Sequence, residues 1–210
     1  MKNTLIKLVA STTLTFGGIA LSNVALAQKV DPAVQAVMDR SFREQGIAKL
    51  DRIQQDEFQA LCSDEKFRDS PEGKKKAEAL QAAALAAIKP PSDGKYLGSW
   101  ANGEKIAQSG RGATWTDSVK TVNGGGCYNC HQISKQEISY GTIGPSLLGY
   151  GKTRGNSDVI LTYTWNRINN SKAYNACSNM PRMQHFNLLT EQQIKDVMAL
   201  LLDPESPVNK

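Results

Sequence analysis

The most chemically specific residues of this chain are Cys127-Tyr128-Asn129-Cys130-His131. Two thiols separated by two residues and followed at once by an imidazole form the attachment sequence of a c-type haem. The spacing has a chemical reason. The two vinyl groups of the porphyrin lie on one edge of the ring, each takes up one thiol, and two intervening residues let a single helical turn present both sulfurs to that edge. His131 then points at the iron, which proteins of this kind hold with His on one side and commonly Met on the other. Two other chemistries use the same residue types. A zinc ribbon needs a second Cys pair, but the remaining cysteines, Cys62 and Cys177, lie far apart and neither sits in a C-x-x-C. A thioredoxin-like redox pair sits in a βαβ pattern, and none surrounds this one.

The chain has 210 residues, enough for one ordinary domain with an extension. Its first residues read as a secretory signal. Lys2 and Lys7 supply the positive region, an apolar stretch runs from Leu8 to Leu21, and Ala25-Leu26-Ala27 is an A-x-A cleavage site. Cleavage after Ala27 leaves Gln28 first. The alternative, an uncleaved anchor, suffers from an apolar run too short and too polar to span well. No later stretch is long and apolar enough to cross a membrane, so the mature protein is expected to be soluble, and the signal implies export to the periplasm, where disulfides are permitted. Losing Lys2 and Lys7 leaves 23 basic against 20 acidic side chains, a net charge of +3 in place of +5. No basic stripe with interleaved aromatics exists, which argues against nucleic-acid binding. The compact run Lys74-Lys75-Lys76 lies in an Ala-rich stretch and reads as a solvated helix face.

The elements that must position the motif follow in order. Asp31-Pro32 starts a helix, with Val34, Val37, Met38 and Phe42 at helical spacing, and Gly46 is expected to end it. Leu50, Ile53, Phe58, Leu61 and Cys62 carry a second, less regular helical stretch, and Asp64 to Pro71 reads as a connection. Glu72 to Ile88 is rich in Ala, Lys and Glu and is stopped by Lys89-Pro90-Pro91-Ser92-Asp93-Gly94. Residues 28–95 are therefore expected to form a helical extension, and residues 96–210 the haem domain. In the latter, Ser99 to Gln108 is a short amphipathic helix. Arg111 to Gly126 is a loop whose three final glycines let the chain pass close to a flat ring. The Pro of Gly144-Pro145-Ser146-Leu147 is well placed to give a carbonyl to the second nitrogen of His131 and fix its tautomer. Asp158 to Ile168 is a helix, with Trp165 able to pack near the haem. Asn179-Met180-Pro181-Arg182-Met183 is a loop. Thr190 to Gln193 is a capping box, followed by Ile194, Val197, Met198 and Leu201 on one face. No run of alternating strands appears, so the expected fold is all-α.

This order resembles a class I cytochrome c over residues 96–210. The resemblance implies that Pro145 supplies its carbonyl to His131 and that Met180, of Met180-Pro181, is the sixth iron ligand. Met183 and His185 are the rivals: Met183 lacks a following Pro, and His185 would give a bis-histidine iron of lower potential, whereas Met198 reads as core. Three stretches narrow the resemblance to the SoxX family, the monohaem subunits of SoxXA cytochromes of thiosulfate oxidation: Gly103-Glu104-Lys105-Ile106-Ala107, Cys177-Ser178-Asn179-Met180-Pro181-Arg182, and the tail Leu202-Asp203-Pro204-Glu205-Ser206-Pro207-Val208-Asn209. It implies one covalent haem c and a SoxA-type partner that bears the catalytic, cysteine-ligated haem. The complex joins thiosulfate oxidatively to a carrier-protein cysteine, and a downstream cytochrome accepts the electrons. No catalytic residue is then expected in this chain itself. A free-standing electron shuttle is the alternative function, and a ligand-binding haem sensor would need an open sixth position.

Cys62 and Cys177 are the spare pair. In an oxidising compartment an internal disulfide is favoured over two buried thiols or a bond to a partner, and it would tie the extension to the Met180 loop. Trp100, Trp115, Trp165, Tyr140 and Tyr163 are candidates for lining the haem crevice or for ordinary core. Lys152 and Arg154 flank a Gly-rich turn, facing either a haem propionate or water.

Overall fold

The computed structural model describes residues 30–210; the expected signal sequence and its cleavage site lie outside them. The described residues are helical, with no strand and a single isolated bridge between Gln45 and Ala48. The eight α-helices are α1 (Pro32–Ser41), α2 (Glu57–Ser63), α3 (Glu65–Asp69), α4 (Pro71–Ala87), α5 (Trp100–Gln108), α6 (Tyr150–Arg154), α7 (Asp158–Asn169) and α8 (Glu191–Leu202). None of the helices is long and apolar enough to cross a membrane.

Capping chemistry sets most boundaries. Asp31, Asp56, Asp64, Ser70, Ser99 and Thr190 each accept a backbone N–H in the first turn of the helix they precede. The expected capping box at Thr190 is present: Thr190 Oγ1 accepts from the Gln193 amide at 3.2 Å, and Gln193 Oε1 accepts from the Thr190 amide at 3.0 Å. Some expectations need correction. α1 stops at Ser41 rather than Gly46, and none of its residues is buried, so its apolar spacing did not signal a core face. The second stretch splits into a 3₁₀ turn, Leu50–Ile53, and α2, because Asp56 caps a new start. The Asp64–Pro71 connection contains α3, and the Gly-rich turn at Lys152 is α6.

The main core gathers around α8. Ile194, Val197, Met198, Leu200, Leu201 and Leu202 are all buried, with Trp165, Ile168, Ile133, Tyr128 and Ala107 packed about them. α5 crosses α8 at Gly103, where a Cβ would stand 2.1 Å from the Asp196 carbonyl oxygen. No side chain fits there, which accounts for the glycine within a helix. Asp196 Oδ1 accepts from the Ser99 amide at 2.8 Å and so caps α5 from α8.

The segment between α4 and α5 straps the N-terminal helices to this core. Trp165 Nε1 donates to the Lys89 carbonyl at 2.8 Å, the Ser92 hydroxyl donates to Glu191 at 2.7 Å, and Lys195 Nζ meets Asp93 at 2.6 Å. A second, smaller core joins Phe58 and Leu61 of α2 to Ala176, flanked by Leu80 and Ala84 of α4. Cys62 and Cys177 form a disulfide beside it, with Cα atoms 5.6 Å apart.

The last residues are structural. Asn209 is buried and serves two helix ends at once. Its Nδ2 donates to the Leu201 and Asp203 carbonyls at 3.1 and 2.9 Å at the end of α8. Its Oδ1 accepts from the Gly151 and Lys152 amides at 2.9 and 3.2 Å at the start of α6. The Ser206 hydroxyl donates to the Leu200 carbonyl. The tail thereby fills the hydrogen-bonding vacancies that helix termini leave open.

Candidate functional site

Cys127–Asn129 form a 3₁₀ turn that carries the attachment sequence. The Cys130 and His131 amides both donate to the Cys127 carbonyl, at 3.2 and 3.0 Å, which gathers the three functional side chains on one turn. Tyr128, between the thiols, points the other way into the core. Its hydroxyl donates to Glu104 Oε1 of α5 at 2.9 Å and lies 2.9 Å from Ser134 Oγ. Burial, and after it the Glu104 carboxylate, raise the Tyr128 hydroxyl well above the ordinary phenol range.

The turn opens on a cavity of about 620 Å³, within the range of small-molecule and cofactor sites. Cys127, Cys130 and His131 line it together with Pro145, Met180 and Met183, and its remaining wall is largely apolar, including Ala107, Ile168, Leu189, Val197 and Leu200. Ala107 belongs to α5, Tyr150 and Arg154 to α6, Ile168 to α7, and Val197 and Leu200 to α8, so four helices set its shape.

The imidazole of His131 is fixed from behind. Its Nδ1 lies 2.8 Å from the Pro145 carbonyl oxygen. A proton on Nδ1 donates to that oxygen and leaves Nε2 as the free lone pair. The loop bearing Pro145 is itself anchored, the Gly144 amide donating to the Cys130 carbonyl at 2.8 Å and the Leu147 amide to the Gln132 carbonyl at 2.7 Å. A Cβ on Gly144 would stand 2.2 Å from Cε1 and 2.4 Å from Nδ1 of His131, so only glycine lets the loop lie against the ring.

Met180 reaches the cavity wall from a loop with two backbone anchors. Ser171 Oγ donates to its carbonyl at 2.7 Å, and its amide donates to Ser178 Oγ at 3.2 Å. Met183 also touches the cavity, but it is buried in the main core and its carbonyl accepts from the Leu188 amide at 2.8 Å. His185 is exposed, stacks edge-on against Phe186 at 4.8 Å and does not line the cavity. Met198 is wholly buried in the core, away from it.

The aromatic candidates separate cleanly. Tyr163 lines the cavity and Trp165 does not, its ring being occupied by Tyr96 and the Lys89 carbonyl. Trp100 and Tyr140 are also absent from the wall, and Trp115 is 61 % exposed. Arg154 lines the cavity and Lys152 does not. Sequence reasoning missed Tyr150 and Arg167 on the same wall; Tyr150 is held by a 2.8 Å hydroxyl contact with Thr164, and Arg167 donates to the Ser171 carbonyl at 2.9 Å. Their separation in sequence gave no signal.

The donor set fits a covalently bound haem and fits the rival chemistries poorly. Cys127 and Cys130 are not bonded to each other. Burial pushes the Cys127 thiol up to about 11, opposite to the depressed values of redox-active C-x-x-C pairs. Among the described residues no three His, Cys, Asp or Glu side chains gather to hold a metal ion by themselves, as a zinc ribbon requires. What remains is two thiols, an imidazole with a held Nδ1 and a thioether around one apolar cavity.

Comparison with known proteins agrees with that geometry. Residues 101–203 match the family model "Cytochrome c". The chain is also 37 % identical over 163 residues to a protein of Aquifex aeolicus (strain VF5) named "Uncharacterized lipoprotein", an alignment covering 74 % of this chain and 73 % of that one. The chain belongs to the cytochrome c family, the haem-bearing proteins of electron transfer.

Proposed function

We propose that this protein is an exported monohaem cytochrome c that serves as the electron-accepting subunit of a SoxXA-type thiosulfate-oxidising complex. The observation that carries the haem assignment is the shared cavity of Cys127, Cys130, His131 and Met180, with the Pro145 carbonyl 2.8 Å from His131 Nδ1. On this reading Cys127 and Cys130 would hold the haem covalently, and His131 and Met180 would hold its iron. Bound there, the haem supplies a one-electron ferric–ferrous couple. Pro145 keeps the Nε2 lone pair of His131 directed at the cavity, Ser171 and Ser178 keep the Met180 loop in register, and the apolar wall excludes water. A ligand set closed on both sides suits electron transfer because little has to rearrange, and a Met ligand raises the potential relative to a second His, which suits an acceptor.

The finer assignment to a SoxXA-type subunit rests on three stretches. Gly103 to Ala107 is the helix segment that crosses α8, Cys177 to Arg182 is the disulfide-bearing ligand loop, and the tail through Asn209 closes the end of α8. Export is supported by the N-terminal signal pattern and by the lipoprotein name of the Aquifex relative.

The test is to purify the tagged mature protein from the periplasm of its host grown on thiosulfate and to stain whatever co-elutes for covalent haem. A stoichiometric second cytochrome, with thiosulfate reducing the haem only in its presence, supports the subunit. A lone monohaem protein that exchanges electrons freely with unrelated redox partners supports a shuttle instead. Met180→Ala tests the sixth ligand: the Met–iron charge-transfer band should vanish and the potential fall, whereas an unchanged spectrum would refute that ligand.

A further inference from the structure

A cluster of charges lies directly behind the Met180 loop, on the side away from the cavity. Asn175, Cys177, Met180, Pro181 and Met183 line the cavity, whereas Ala176 and Arg182 do not and turn toward the N-terminal helices. Lys172 is buried, and its Nζ donates to the Ala176 carbonyl at 2.9 Å while sitting 5.5 Å from the Phe58 ring centroid. Arg182 has a side chain only 3 % exposed, lies over the Phe186 ring and pairs with Asp56 at 2.5 Å. Asp56 is the N-cap of α2, so the one carboxylate of the cluster comes from the N-terminal helices.

Two buried cations therefore face one carboxylate, that of Asp56, whose own side chain is 34 % exposed and which pairs directly with Arg182. Burial lowers the Lys172 ammonium, as does Arg182, while Asp56 acts the other way. Burial opposes ionisation of Asp56, yet the Gln59 amide, Arg182 and Lys172 outweigh it and hold the carboxyl below its ordinary value. Partial desolvation, and after it Arg182, likewise lower His185, the nearby exposed imidazole. The cluster carries a net charge of about +1 at pH 7, counting Lys172, Arg182 and Asp56 at their ordinary charges. Unpaired charge is costly to bury; the Lys172 ammonium is held there by its donation to the Ala176 carbonyl and by the face of the Phe58 ring.

Adding an electron to a metal centre lowers its charge by one unit, so a fixed positive charge nearby favours the reduced state. Charges buried with little water between them act over longer range than exposed ones and are less screened by salt. The 3₁₀ turn Ser171–Ala173 links the two sites, since Ser171 holds the Met180 carbonyl and the next residue is Lys172.

We propose that Lys172 and Arg182, offset by Asp56 from the N-terminal segment, form a built-in electrostatic bias that raises the reduction potential of the haem bound in the cavity. The proposal rests on the haem reading above. It gives the N-terminal helices a role in the redox chemistry itself: they deliver the carboxylate that sets the bias.

The test is spectroelectrochemical titration of the haem-loaded protein at pH 7, at low and high salt, for the parent and for Lys172→Met, Lys172→Arg and Asp56→Asn. At one fixed ambient potential, Lys172→Met should lower the ferrous-to-ferric ratio, and Asp56→Asn should raise it, each by roughly three- to tenfold. Lys172→Arg, which keeps the charge, should leave the ratio near the parent's. The Met–iron charge-transfer band should persist in all, and the Lys172→Met shift should survive high salt. Shifts of the same sign in Lys172→Met and Asp56→Asn, or ratios unchanged in both, overturn the proposal in favour of a purely structural cluster. Should Lys172→Met fail to fold, Asp56→Asn decides alone, an upward shift supporting the bias and any other result refuting it. A parent protein without covalent haem overturns the haem reading, a result distinct from unchanged ratios in loaded protein.

Discussion

Replacing Cys62 and Cys177 together by serine removes the bond between α2 and the Met180 loop without leaving a lone thiol. The two cysteines are 115 residues apart in sequence. In the chain-entropy model, opening a loop of that length returns conformational freedom to the unfolded chain worth about 5 kcal/mol. For a domain of this size each kcal/mol moves the melting temperature by about 2–4 °C, so the double variant should melt roughly 10–20 °C below the parent. The loop should not detach in the folded state, because Asp56–Arg182, Lys172 to the Ala176 carbonyl, and the Phe58–Leu61–Ala176 core remain. Thermal unfolding followed by far-ultraviolet circular dichroism reads the loss, and added reductant should move the parent to the same midpoint as the variant. Hydrogen exchange should rise first at residues 175–183. A melting temperature within about 2 °C of the parent's would refute the entropic account. Both thiols alkylating in the native parent without reductant would remove its premise.

Other expectations follow from single contacts. Gly103→Val should be strongly destabilising, by about 3 kcal/mol or more in urea unfolding, because its side chain meets the Asp196 carbonyl. Asn209→Ala strands groups at the ends of two helices and should cost roughly 2–4 kcal/mol; a loss under about 0.5 would deny the tail its role. Acid stability should depend on Asp56. Its carboxyl is held below the ordinary 3.8, so its contribution is complete above that value and fades as pH falls through the lowered one. Asp56→Asn should flatten that part of the stability–pH curve, and an unchanged acid slope would count against the ion pair.

Legibility from sequence varied with the range of the interaction. The attachment sequence, the helix caps and the long apolar face of α8 are local patterns, and each element appears near where its residues put it. The disulfide was readable from compartment and count alone. α3 and α6 were not, since five residues are too few to show a helical period. The exposed Val34 and Val37 show the converse: helical spacing of apolar residues does not guarantee a buried face. Trp165 reads from sequence as either crevice wall or ordinary core, because whether an indole faces the cavity or the strap at Lys89 depends on rotation about the helix axis. Asn209 and the Asp56–Arg182 pair join residues far apart in the chain, and nothing in either neighbourhood announces the other.

The central claim is that Cys127 and Cys130 carry one haem between His131 and Met180. Intact-mass spectrometry of the protein purified from its exporting host, denatured and then digested, tests it most directly. The expected result is a polypeptide beginning at Gln28 and heavier by one haem, with the added mass confined to the peptide containing Cys127 and Cys130. An unmodified polypeptide, or haem retained only by the undenatured protein, would contradict it.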